Sequence, residues 1–430
     1  MAKIQQSVTN GAPRLDAQPK PAIDSAALQR RLDELALISE APAPVVTRVL
    51  FSAADIRGRD YVRRSARDAG LAVREDAVGN IFARWEGGDP GLGAVGTGSH
   101  TDAIPNAGRY DGVVGVLGGF EALAALKRAG FKPRRSLEVV MFTAEEPTRF
   151  GLGCLGSRLM AGSIDPSKAQ ALKDREGRSL EQLREAAGCR GSLESVRLAP
   201  NHYHAFVELH IEQGPILEKE GVPIGIVEHI AGPSSYRVML VGEGGHAGAV
   251  LMPVRHDASL AASEIALAVE RAAKTSGSPD TVGTTGVFRI EPGAVNSVPY
   301  RACLEIDLRD TRLDSRAKAF AEIRRTAAEV CARRGVRLDF EEINADPPAA
   351  GDPGTIAIIE EVCRALGLPS KRMVSRAYHD SLFMARICPT TMIFIPCRNG
   401  WSHRPEEYAS PEAIAAGAAV LARTLARLSA

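Results

Sequence analysis

Between residues 71 and 146 short apolar runs alternate with longer stretches of helical periodicity, and few architectures accept that order. "LAVREDAVGNIFARWEG" alternates like two paired strands about a Gly-Asn turn, and "LGAVGTGSH" is a short buried strand running into a glycine loop. "DGVVGVLGGFEALAALKRAG" then reads as a helix closed by Gly130, and "SLEVVMFTAEE" as the next strand. Strands alternating with helices predict an α/β fold: a mostly parallel mixed sheet with helices on both faces. Upstream, "SAALQRRLDELALIS" sets Leu28, Leu32, Leu35 and Leu37 on one helical face with Ser25 as cap, and "AADIRGRDYVRRSARDAG" is a second helix ending at Gly70.

Residues 231–345 follow a different order. "YRVMLVGEGGHAG", a helix over "RHDASLAASEIALAVERAAK", the strands of "TVGTTGVFRIEPGAVNSVPYRACLEIDLRD", a helix over "SRAKAFAEIRRTAAEVCARRG" and the strand "VRLDFEEI" make an α+β layer with helices on one face of an antiparallel sheet. A chain of 430 residues exceeds one compact core, so this layer is expected as an inserted domain splitting the α/β domain into 25–230 and 346–430. The Pro/Gly-rich "NADPPAAGDPG" leads back, and a final helix starts at Pro411.

Bulk properties narrow the function. With 53 basic and 52 acidic side chains the net charge is +1, which argues against a nucleic-acid binder and for small-molecule chemistry. Seven cysteines without CxxC spacing suggest neither a disulfide framework nor a zinc ribbon. Residues 1–24, "MAKIQQSVTNGAPRLDAQPKPAID", read as a polar, flexible tail without the apolar segment of a secretory signal, and no run of about 18 apolar residues occurs. A cytoplasmic enzyme with no membrane or nucleic-acid partner is the expectation.

The loops after the strands carry the chemistry. In open α/β sheets ligands bind beyond the carboxyl ends of the strands, where "GSHTDAIPNAGRYDG" and "TAEEPTRFG" fall. His100, Asp111, Glu146, His210 in "ELHIEQG" and His403 in "NGWSHRPEE" are metal-ligand types, suited to zinc, manganese, cobalt or nickel. Asp111 is the chosen bridge between two ions. Asp102 is expected to bond the other ring nitrogen of His100 rather than to ligate. Adjacent glutamates diverge at a strand end, so Glu146 is assigned as ligand and Glu145 as general base. A lone histidine is more often a satisfied structural residue, and a Glu-Glu pair more often solvated charge; their company at strand ends favours the metal reading.

Outside this core stand Gln213, Asn296, Tyr378 and His379, with two further residues of the inserted layer. His246, in "GGHAGAVLMP", is either a plain turn residue or a donor to a developing oxyanion. Arg309, in "IDLRD", either pairs with Asp307 or Asp310 or clamps a carboxylate. His202, His204, His229 and His256 are given no role.

These motifs, with "GGHAGAVLMPVRHDA", "SRAYHDSLFMARI" and "IPCRNGWSHRPEEY", resemble the amidohydrolase branch of the dinuclear aminoacylase/carboxypeptidase-type metallohydrolases, in unbroken order from about residue 28 onward. That branch holds ureidoglycolate amidohydrolases, allantoate amidohydrolases and N-carbamoyl-L-amino acid hydrolases. "GGHAGAVLMP" departs from the "HAGTTPM"-like sequence usual in the latter two, and "AYHDSLFMARI" and "AIPNAGRYDGVVG" are similar to the ureidoglycolate enzymes. The resemblance implies two divalent ions per subunit, usually manganese, held by His100, Asp111, Glu146, His210 and His403. It further implies hydroxide attack on a ureido carbon with Glu145 as base, and substrate contacts from Gln213, Asn296, Arg309 and His379. A homodimer built through the inserted domain, with His246 reaching the partner's site, follows from the same similarity.

Overall fold

The computed structural model describes residues 21–430, so most of the expected 1–24 tail lies outside the described residues. Along the chain the elements used below are helices α1 (Ser25–Ala36) and α2 (Ala53–Asp68), then strands β1 (Ala72–Glu75), β2 (Ile81–Trp85) and β3 (Ala94–His100). Helix α3 (Val113–Arg128) precedes β4 (Leu137–Phe142), β5 (Tyr203–Ile211) and β6 (Ile224–Ile230). Next come β7 (Gly232–Val241), α4 (Ala258–Lys274), β8 (Val282–Glu291), β9 (Arg301–Asp310), α5 (Leu313–Arg334) and β10 (Arg337–Ala345). Helix α6 (Pro353–Leu366), β11 (Thr390–Ile395) and α7 (Pro411–Leu428) complete the chain. The described residues form two compact units, one of 21–228, 350–373 and 379–430, the other of 229–349 and 374–378.

In the first unit the strands run β6-β11-β5-β3-β4-β2-β1. The four central strands β11, β5, β3 and β4 are parallel, while β6, β2 and β1 join antiparallel at the flanks. Every residue of β3, β4 and β11 is buried, the composition of a strand covered on both faces. One face carries a core that includes Leu28, Leu117, Leu123 and Leu421 from α1, α3 and α7; the other is covered by the 155–196 segment through Leu155, Leu159, Leu180 and Leu193.

Helix α3 lies almost wholly inside, and its glycines explain how. A Cβ at Gly115 would fall 2.5 Å from the Leu209 carbonyl oxygen and 2.7 Å from Ser99 Cβ. The helix therefore forgoes side chains, at a propensity cost of about 1 kcal/mol per glycine, to lie directly on β3 and β5. Helix α1 departs from expectation in two details. Its cap is Asp24, whose carboxylate accepts from Ala27 N at 2.8 Å, with Ser25 already helical. Leu37 lies past the last turn and is exposed, since nine residues beyond Leu28 is half a revolution out of phase.

The second unit is a four-stranded antiparallel sheet, β8-β9-β7-β10, with α4 and α5 sharing its core. Alternate residues of β9, from Ala302 to Leu308, are buried under those helices, the pattern of a sheet covered on one face. The seven cysteines are all free thiols. Among the described residues no helix is long and apolar enough to cross a membrane.

Candidate metal centre

Because β5, β3 and β4 are adjacent and parallel, their carboxyl ends open on the same side of the sheet. His100 is the last residue of β3, His210 the penultimate residue of β5, and Glu145 and Glu146 follow β4 by three and four positions. Both rings are fixed by backbone carbonyls: His100 Nδ1 lies 2.9 Å from the Asp102 oxygen and His210 Nδ1 lies 2.8 Å from that of Ile211. Each Nε2 is thereby turned toward Asp111.

Asp111 joins two groups. Its Oδ1 lies 3.1 Å from His210 Nε2 and 3.8 Å from His100 Nε2. Its Oδ2 lies 3.1 Å from His403 Nε2, which is itself 3.3 Å from Glu146 Oε1. Two triads of ligand atoms, His100–Asp111–His210 and Asp111–Glu146–His403, each fit within 4.8 Å and share one carboxylate. Gly112 makes this approach possible: with φ +67° it caps α3, and a Cβ there would fall 2.6 Å from His100 Cε1.

Electrostatics show what the pocket lacks. Burial pushes the Glu145 carboxyl well up, reinforced by Glu146, Asp380 and Asp111. Burial, then Asp111, raises Glu146 to about 8. Burial opposes the charge of Asp111 too, yet hydrogen bonds from His210 and His403 hold it well below the usual range. Those histidines rise to about 9: His403 through its Asp111 bond, and His210 because burial, which lowers it, is outweighed by the Asp111 bond together with the charges of Asp111 and Glu208. Burial lowers His100 to about 4, a shift that the Asp111 charge opposes without reversing. A closed cluster of mutually repelling carboxylates beside imidazole nitrogens is short of positive charge, and hard oxygen with borderline nitrogen donors suits divalent cations. The donor set therefore fits a metal centre.

Backbone strain gathers at the same place. Ala144, Gln213 and His403 have φ of 55°, 56° and 60°, a left-handed region that costs a non-glycine residue about 1–3 kcal/mol. Ala144 turns Glu145 and Glu146 apart, and Glu145 Oε2 reaches within 3.7 Å of His100 Nε2.

Asp102 corrects the sequence expectation. Its carboxylate Oδ1 stays 3.8 Å from His100 Nδ1, and the bond to the ring comes from its backbone oxygen; Oδ2 instead accepts from Glu146 N at 3.1 Å. In the link after β3 the carbonyl of residue 102 takes the ring, and its side chain is left to orient the Glu146 backbone. Gln213 donates through Nε2 to Asp111 Oδ2 at 2.9 Å and to Ser402 Oγ at 3.2 Å. His379 is buried with its ring edge-on to His210, centroids 4.6 Å apart.

Two participants were not read from the sequence. Glu407 is buried, accepting from Tyr110 N at 2.7 Å and Asp111 N at 3.1 Å. Glu208 is buried two residues before His210, held by the hydroxyls of Ser99 at 2.7 Å and Ser381 at 2.6 Å. Spacing along β5 puts Glu208 on the His210 face and was the available signal for it. For Glu407 there was none, since its neighbour Glu406 is exposed and paired with Arg404.

In the second unit His246 is exposed and pairs with Ser297 across a short antiparallel ladder, beside Asn296 in a surface pocket of about 340 Å³. Arg309 sets its fork on Asp307, Nε to Oδ1 at 2.6 Å, the pairing that the sequence left open. Tyr378 is half-buried in the same unit.

A model of the peptidase family M20/M25/M40 matches residues 96–427. The chain belongs to this family. M20 enzymes are metal-dependent hydrolases, in keeping with the donor set here. A ureidoglycolate hydrolase of Oryza sativa subsp. japonica is 56% identical over 414 residues, 95% of this chain and 85% of that protein. An N-carbamoyl-L-amino acid amidohydrolase of Geobacillus stearothermophilus is 38% identical, over 94% of this chain and 98% of its own length. Crystal structures of AtUAH, in complex with glyoxylate and with (S)-hydroxyglycine, align with TM-score 0.90 at 53% and 52% identity, over 95% of this chain and 99% of theirs.

Proposed function

We propose that this chain is an amidohydrolase that cleaves the terminal ureido C–N bond of a linear ureide, ureidoglycolate, yielding glyoxylate, carbon dioxide and ammonia. The observation that carries the reading is the 56% identity to a ureidoglycolate hydrolase along 95% of a chain whose Asp111 faces a pair of histidines on one side and a glutamate with a histidine on the other.

His100 and His210 on one side of Asp111, with Glu146 and His403 on the other, would hold two divalent ions, manganese by the family resemblance. When bound, such ions polarise a carbonyl and acidify a water near neutrality. Glu145 accepts the proton of the attacking water through the carboxylate that stands beside His100. As the ureido carbon becomes tetrahedral, His246 of a partner subunit donates a hydrogen bond to the developing oxyanion, a role that its exposure supports. Glu145 then returns the proton to the leaving nitrogen and ammonia departs. The remaining carbamate loses carbon dioxide to give hydroxyglycine, which breaks down to glyoxylate and a second ammonia.

Asn296 beside His246, and Arg309, Tyr378 and His379, are assigned to the substrate; Gln213 is assigned both to it and to Asp111. The assembly is a homodimer joined through the second unit, and seven free thiols support a cytoplasmic location. A substrate panel with separate ammonia and glyoxylate readouts tests the reading. Ureidoglycolate should yield two ammonia per glyoxylate; preferential turnover of allantoate or an N-carbamoyl-L-amino acid would reassign the substrate within the same chemistry.

A further inference from the structure

We propose that Glu407 is a positioning residue that sets the Asp111 carboxylate between its two groups of partners. The inference rests on the reading of Asp111 as the shared ligand. One Glu407 oxygen, Oε1, accepts from the backbone N–H groups of both Tyr110 and Asp111, 2.7 and 3.1 Å away and nearly 300 residues earlier in the chain. The other, Oε2, meets the Ser402 hydroxyl at 2.8 Å, and that hydroxyl lies 3.1 Å from Asp111 Oδ2. Glu407 therefore holds the Asp111 main chain directly, and its second oxygen shares with Asp111 Oδ2 the single Ser402 hydroxyl that lies between them. The same carboxylate ties residue 402 to the loop of Asp111, and the next residue is His403.

The neighbourhood is shaped for this contact. Gly108 lies against the Glu407 side chain so closely that a Cβ there would fall 2.5 Å from the carboxyl carbon. Glu407 is 4% exposed, and all of its acceptor capacity points at the Asp111 and His403 loops. Residues that orient ligands in this way typically contribute about 10- to 100-fold to metal affinity or activity.

The test is titration of metal-stripped protein with manganese and with zinc, read by calorimetry, alongside kcat and KM of the reloaded enzyme. Glu407→Ala should bind about 10- to 100-fold more weakly, with kcat lowered and KM nearly unchanged at saturating metal. Glu407→Gln keeps the oxygen that accepts from residues 110 and 111, and its amide can donate to Ser402, so it should restore affinity to within a few-fold of wild type. Glu407→Ala binding metal as the wild type does overturns the proposal. So does a Gln variant as weak as the Ala variant, because the effect would then be one of charge. Should Glu407→Ala not fold, Ser402→Ala decides: several-fold weaker binding supports the brace and unchanged binding overturns it. Asp111→Ala separates the two levels, since wild-type affinity there would sink the ligand reading itself.

Discussion

Glu145 Oε2 lies 3.7 Å from His100 Nε2, close enough for the glutamate to serve whatever His100 holds and too far to be bonded to the ring itself. Its neighbour Glu146 turns instead to His403 at 3.3 Å, so two consecutive carboxylates face different tasks. Replacing Glu145 by Gln should leave the ligand set intact and lower kcat by about 10²- to 10⁴-fold, the range of a lost general base. Metal analysis and steady-state kinetics on one preparation check this, and near-normal turnover would take Glu145 out of the reaction.

His246 stands exposed in the second unit. His246→Ala should fold and dimerise while losing about 10²- to 10³-fold in kcat, as for a removed oxyanion donor. Mixed dimers of His246→Ala with Glu145→Gln should recover one working site per dimer. If mixing restores nothing, His246 does not act across subunits.

Gly112 cannot accept a side chain without displacing His100, and its φ of +67° is itself strained for any other residue. Gly112→Ala should lose about 1–3 kcal/mol of stability from the backbone alone. Urea unfolding measures that loss, and the metal content of the variant should fall with it through the shifted imidazole.

Chelation should abolish turnover and lower the melting temperature together, because the buried carboxylates then lose the cations that offset their repulsion. Adding back manganese, zinc, cobalt or nickel singly should restore both to degrees that rank the ions. An enzyme whose melting temperature ignores chelation would not have a pair of ions bound at these carboxylates.

The sequence disclosed the parts whose signal is local. Apolar runs ending in His100 and in Thr143–Glu146 announced strand ends, and the residue types there announced ligands. What depended on backbone geometry stayed hidden. Asp102 sat at the right spacing to orient His100 but does so through its carbonyl, a choice fixed by φ and ψ that its identity does not encode. Glu407 looks in sequence like the exposed Glu406 beside it, and only the fold brings Tyr110 and Asp111 to its oxygens. The Gly-Asn turn announced the β1–β2 pairing, but the antiparallel junctions of β6 with β11 and of β2 with β4 stayed unreadable, since strand direction belongs to the connections and not to the strands.

Left-handed backbone at Ala144, Gln213 and His403 adjoins a group of buried acids. Both are tensions that an unliganded chain would relieve by loosening the loops that bear them. Occupancy and rigidity of this mouth are then one variable, and a cell's supply of divalent ions would govern how long the protein survives as well as how fast it works.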